Sequence, residues 1–205
     1  KSRAIAWVTA GGVVAALAGT LIARHTQHIG ATPFLYSYLA MVLLSLGALV
    51  VISRLHLVPP STGSGDGAEP ARPLLQVMLQ PVFVTALTSS AVGYAVMMLV
   101  MTATPLAMHA HGQTDSATVI QWHVLGMFVP SFFTGHLIQR FGVLAIMATG
   151  ILLLGLQVVI NPSGVQFLHF LSALILLGVG WNFLFIGGTA LLTEAYRPSE
   201  RARTQ

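Results

Sequence analysis

The sequence predicts an all-α fold, a polytopic transmembrane helix bundle of about six spans. Three observations carry that expectation. Long apolar stretches fill the chain; nearly every basic residue falls in every second gap between them; and 7% of the residues are charged against 55% hydrophobic. A soluble domain carries roughly 25% charged residues. The mean hydropathy of +0.82 agrees.

Taken in order, the first expected span is 4–23, which Lys1-Ser2-Arg3 leads into directly. At about 20 residues it is too long for a secretory signal, and it has no small-residue cleavage site. The second, 34–53, is an almost unbroken apolar run. Residues 57–73 then read as a flexible cytoplasmic linker, rich in Pro, Gly and Ser, dividing two helices in 1–56 from four in 74–205. The third span, 81–108, holds Ser89 and Gly93 four apart, as Ala15 and Gly19 are in the first, a spacing that lets helix backbones approach. The fourth is 119–138, the fifth 143–160 and the sixth 167–192. Pro105 and Pro130 fall inside spans, where a proline removes a backbone hydrogen bond and kinks the helix. The gaps 25–33, 109–118, 139–142 and 161–166 are short, so neighbouring helices run antiparallel.

Orientation follows from the cations. Lys1, Arg3, Arg54, Arg72, Arg140, Arg197, Arg201 and Arg203 share one side and Arg24 lies on the other, which by the positive-inside rule puts both ends in the cytoplasm. The net charge of +4 does not point to nucleic acid, because the arginines are scattered over loops and form no stripe. There is no Cys, hence no disulfide and no thiolate metal site. One Lys against eight Arg, with abundant Ala, Leu and Gly, suggests a GC-rich bacterial genome and so a bacterial inner membrane. Both ends look cut, so the chain is expected to be a piece of a longer protein whose other helices, with membrane lipid, are its partners.

The most informative short motif is Gly135-His-Leu-Ile-Gln-Arg-Phe-Gly142, in the tight cytoplasmic gap 139–142 and the helix end before it. Here the sequence resembles the major facilitator superfamily of secondary transporters, which repeats a Gly-x-Leu-x-Asp-Arg-x-Gly-Arg-Arg motif between helices. Gly135, Leu137, Arg140 and Gly142 match it in register; Gln139 stands in place of its Asp, and Val143 and Leu144 in place of its basic residues. The glycines permit a tight turn, and Arg140 anchors the inner face. Segments 98–108, 121–131 and 193–203 resemble a bacterial branch of the same superfamily. The resemblance makes the six stretches helices five to ten of twelve and puts the linker between the two halves. The first span has Gly19-Thr20 where antiporters of the family often have Gly-Pro.

The resemblance further implies that 81–108 and 167–192 line a central cavity, with solute bound near the midplane. On the second, Asn182, Thr189 and Thr193 fall on one face at spacings of seven and four, with Trp181 and Phe185 alongside, an amphiphilic set suited to a small molecule. On the first, Tyr94, Met98, Met101 and Pro105 form a stripe with Thr102 adjacent; helix packing is the alternative use of such a stripe. His123 lies inside the fourth span beside Gln121 and Trp122. An imidazole of ordinary pKa, about 6.5, suits a coupling proton, the alternative being a hydrogen bond to a neighbour or to interfacial water. His25-x-x-His28 and His109-x-His111 with Asp115 have metal-compatible spacing in loops, though solvated loop residues read the same way. Glu194 lies near Arg197 and Arg201, as an inner-gate ion pair or a solvated terminal cluster.

The function expected is secondary active transport of a small solute by alternating access, with no cofactor and no metal. The alternatives are a membrane-embedded metalloenzyme using the loop histidines, which has no helix-borne HExxH to support it, and a non-transporting assembly or sensor protein.

Overall fold

The computed structural model describes residues 2–55 and 72–200, the side chains of 2–10 and 198 excepted. The expected linker therefore lies, save for Arg72 and Pro73, outside the described residues. The described residues form eight α-helices: α1 (Ser2–Thr26), α2 (Leu35–Ser53), α3 (Leu74–Met78), α4 (Pro81–Ala110), α5 (Ser116–Phe128), α6 (Ser131–Phe141), α7 (Val143–Ile160) and α8 (Phe167–Ala195). Single 3-10 turns follow α7 and α8, at Asn161–Ser163 and Pro198–Glu200. Among the described residues there is no strand, and the protein is an all-α membrane bundle. Among the described residues four helices, α2, α4, α7 with its 3-10 turn, and α8, are each long and apolar enough to cross a bilayer.

One expectation is refined. The fourth span, 119–138, is interrupted at the kinking Pro130: α5 ends at Phe128 and α6 starts at Ser131, while Val129 and Pro130 keep right-handed helical dihedrals. The physical reason is Pro130, which has no N–H to give the Gly126 carbonyl and whose ring crowds the preceding turn. A new helix starts with Pro130 as its N-cap: Phe133 N and Thr134 N both donate to Pro130 O, at 2.9 and 2.8 Å. With 13 and 11 residues, neither piece spans a bilayer alone. Pro105, by contrast, lies within a continuous α4.

The chain divides into two compact units, Leu17–Glu69 and Lys1–Ala16 with Pro70–Gln205. In the first, α2 has no buried residue, as suits a helix facing lipid. There Thr26 Oγ1 meets Ser37 Oγ at 2.8 Å, tying the end of α1 to the start of α2.

The larger unit is built on α8, which packs against α4, α5 and α7 and is the most buried of the long helices. Glycines make this possible. A Cβ at Gly178 would collide with the His123 carbonyl of α5, and one at Gly180 would stand 2.9 Å from the Gly150 carbonyl of α7. On a helix of 3.6 residues per turn these positions point to opposite sides, so α8 is gripped from two directions at backbone distance. Leu174, Leu177, Leu184 and Leu191 fill the remaining space against Met97, Met108, Val119, Met147 and Leu154.

The α6–α7 turn depends on Gly142, whose φ of 87° lies in the left-handed region that favours glycine. It caps both helices, its N–H donating to Ile138 O at 2.8 Å.

Candidate functional site

The α4 and α8 helices run side by side and leave an open groove of about 260 Å³ along their contact, lined by Phe83, Leu87 and Ser90 from α4 and by Phe185, Thr189 and Leu192 from α8. Phe83, Leu87, Ser90, Tyr94, Met98 and Met101 succeed one another at spacings of three or four, which makes them one stripe of α4. Tyr94 and Met98 extend it beyond the groove, 52% and 42% exposed. Opposite them, Phe185 stacks on Trp181, ring centroids 4.7 Å apart and planes within 12°, while remaining 45% exposed. The groove wall is thus apolar and aromatic, with the Ser90 and Thr189 hydroxyls interspersed. That is the surface chemistry of a site for a flat, partly polar organic molecule.

Thr189 and Thr102 each return their hydroxyl hydrogen to their own helix, to Phe185 O at 2.7 Å and Met98 O at 2.6 Å, which leaves each oxygen able to accept a further bond. Thr193 does the same with Ala190 O. Asn182 is different. It is 1% exposed, turned from the groove into the α5–α6 break. Its amide nitrogen donates to Met127 O and to Ser131 Oγ, both at 2.6 Å, and its carbonyl accepts from Thr134 Oγ1 at 2.8 Å. Asn182, Thr189 and Thr193 therefore do not share one environment: the first is held by protein, the other two are exposed.

His123 is fully buried between α5 and α8, its Nδ1 2.9 Å from Leu174 O. A carbonyl only accepts, so Nδ1 carries the hydrogen and Nε2 is the basic nitrogen. Nε2 has no hydrogen-bond partner among the described residues, and neither has the Trp181 indole N–H. In the 135–142 motif, Gly135 and Arg140 are exposed, Leu137 is half-buried, and the Arg140 guanidinium lies 5.3 Å from the centroid of the Phe141 ring.

The histidines expected in loops are not all there: His25 lies in the last turn of α1 and His109 in the last turn of α4, with His111 its C-cap. His25 Nδ1 and His111 Nδ1 bond Leu21 O and Ala107 O, each at 2.8 Å, and Asp115 caps α5 through Thr118 N and Oγ1. No three such groups converge among the described residues.

The sequence reading missed one arrangement at the opposite end of the bundle. Glu200, 1% exposed, accepts from Arg72 N at 2.7 Å, Nε at 2.9 Å and, through Oε2, Nη2 at 2.7 Å, and it also accepts from Arg197 N at 2.9 Å. Arg72 Nη2 and Gln80 Nε2 both donate to Ala195 O, the open C-terminal end of α8, at 3.1 and 3.0 Å. The bonds from the Arg72 side chain, first, and the Arg197 amide hold the Glu200 carboxyl well below the usual carboxylate range. Arg72 reads as a topology signal and Glu194 as the nearer acid, whereas Glu194 is exposed and Glu200 makes the pair. The separation of 128 residues left no local pattern to find it by.

Comparison with known proteins gives three relatives. The chain is 42% identical over 208 residues to the riboflavin transporter RfnT of Brucella anthropi, a match that spans 100% of this chain and 52% of that protein. It is 45% identical over 116 residues to the uncharacterised MFS-type transporter YddS of Bacillus subtilis and 40% over 114 residues to YdeG of the same organism, also an uncharacterised MFS-type transporter. Each of these two matches spans 54% of this chain and 26% of the relative. The chain therefore spans about half the length, or less, of the curated relatives it matches. No family model matches, and no solved structure does.

Proposed function

From its likeness to a riboflavin transporter along its whole length and to two MFS-type transporters over 54% of it, we propose that the chain is the central part of a secondary transporter that moves a small solute by alternating access. The groove between α4 and α8 is one wall of its solute path, and the observation that carries this reading is the half-exposed Phe185 ring, stacked on the partly buried Trp181, beside Thr189 and Ser90. The name of the relative from Brucella anthropi makes riboflavin the first solute to test. A flat ring system matches an aromatic wall, and hydroxyls among the aromatics suit its polar edge. Tyr94, Met98, Met101 and Thr102 continue that wall along α4. His123, with a bare imidazole nitrogen inside the bundle, is the candidate for a coupling proton. Gly135, Leu137, Arg140 and Gly142 form the cytoplasmic turn on which the gate moves.

The binding test is riboflavin titration of the purified full-length transporter and its Phe185→Ala variant. Loss of one aromatic stacking contact, about 0.5–1.5 kcal/mol, predicts affinity about 2–12-fold weaker at unchanged melting temperature. Equal affinity in the two proteins removes the groove from the solute path.

A further inference from the structure

We propose that Asn182 is a positioning residue, the clasp of a hinge at Pro130, and that it couples the solute-facing side of α8 to the angle between α5 and α6. The inference rests on the reading of α8 as a wall of the solute path.

A proline inside a membrane helix frees carbonyls of the preceding turn, and a polar group without a partner in that setting is costly. The nearest local remedy is weak here, because Ser131 Oγ lies 3.5 Å from Met127 O. The close bond comes from another helix, at 2.6 Å from the Asn182 amide nitrogen. The same amide reaches both sides of the break, Met127 at the end of α5 and Ser131 and Thr134 at the start of α6. Both of its hydrogens and its oxygen are used, so α5 and α6 are held at one angle for as long as Asn182 stays in place.

Asn182 follows Trp181 directly. Consecutive residues on a helix point about 100° apart, so one short piece of α8 carries the aromatic pair on one side and the clasp on the next. A rotation or slide of α8 that lets Phe185, backed by Trp181, close on a ring withdraws the Asn182 amide from Met127 O. The freed carbonyl then has Ser131 Oγ as its local substitute, and the α5–α6 angle changes. Two alternative partners for one carbonyl make a two-state joint, which is what coupling between a site and a gate requires. Thr134 Oγ1 has a second choice as well, lying 2.8 Å from Pro130 O.

Spin labels at Ala117→Cys and Gln139→Cys, both exposed and the chain having no native cysteine, report the angle directly in the full-length transporter. The proposal expects two distance populations without solute, a ratio moved at least threefold by Asn182→Ala, and the same populations shifted by Pro130→Ala, which restores a donor for Gly126 O. Solute adds a second reading: in Asn182→Ala, riboflavin affinity stays within threefold of the parent while turnover falls at least tenfold. One unchanged distance in all three proteins overturns the hinge and makes Asn182 a static brace. Affinity lost at unchanged melting temperature and unchanged distances overturns it the other way, making Asn182 a solute ligand. Failure of the parent itself to bind riboflavin rejects that solute and leaves the distance measurement to decide the clasp.

Discussion

Glu200 shows how much a single side chain carries at the C-terminal end of α8. Four bonds from Arg72 and Arg197 satisfy its carboxylate, and Arg72 in turn covers the last carbonyl of α8. Because these bonds favour the charged form, the folded-state pKa lies below the ordinary value of 4.5. The stability it contributes is therefore fully present above that ordinary value and declines as pH falls below it. Glu200→Gln is expected to melt lower than the parent at neutral pH, with the gap narrowing as the pH is taken down to about 3. Melting curves of the two proteins across that range check this; a gap that stays constant with pH removes the ion pair as its cause. Sequence alone left Glu194, near Arg197 and Arg201, as an ion pair or a solvated cluster and did not single out Glu200, because proximity in the chain was the available guide. Asn182, Trp181 and Phe185 were legible as an amphiphilic cluster, but which of them faces the groove depends on where α5 ends, and that is tertiary information.

Among elements, α8 decides the packing and Pro130 interrupts the fourth span. The extents of α2, α7 and α8 were legible because an apolar run bounded by Pro, Gly or polar residues has few other outcomes in a chain this hydrophobic. The α5–α6 break was half legible. Pro130 announces a kink, but the partners that satisfy the polar groups at the break come from α8, far away in sequence. The glycines of α8 give a direct check. Gly178→Ala drives a methyl group into the His123 carbonyl, backbone that cannot yield, whereas Gly155→Ala on α7 meets nothing within 4 Å. The first is expected to destabilise by about 1–3 kcal/mol, as overpacking does. The second is expected to be neutral or slightly stabilising, a helical Gly→Ala change favouring Ala by about 0.5–1 kcal/mol. Equal melting temperatures for the pair contradict the close crossing of α5 and α8.

For the whole molecule, the alternation of cations predicts the side of the membrane on which each turn lies. Single cysteines in the otherwise Cys-free chain, tested on intact cells with an impermeant maleimide, are expected to label at Gln113 and not at Ser64. Labelling at Ser64 alone inverts the topology. Function was legible only as a class: composition gives the membrane and the 135–142 motif gives the superfamily resemblance, but a solute is recognised by side chains from helices far apart in sequence. The claim that joins residue, element and molecule is transport through a path walled by α4 and α8. Riboflavin uptake by proteoliposomes containing the full-length transporter, with Phe185→Ala in parallel, tests it most directly. The account predicts saturable uptake above empty liposomes, weakened in the variant through its affinity for the solute. Uptake by the parent no greater than by empty liposomes contradicts riboflavin transport, and uptake identical in parent and variant contradicts the path.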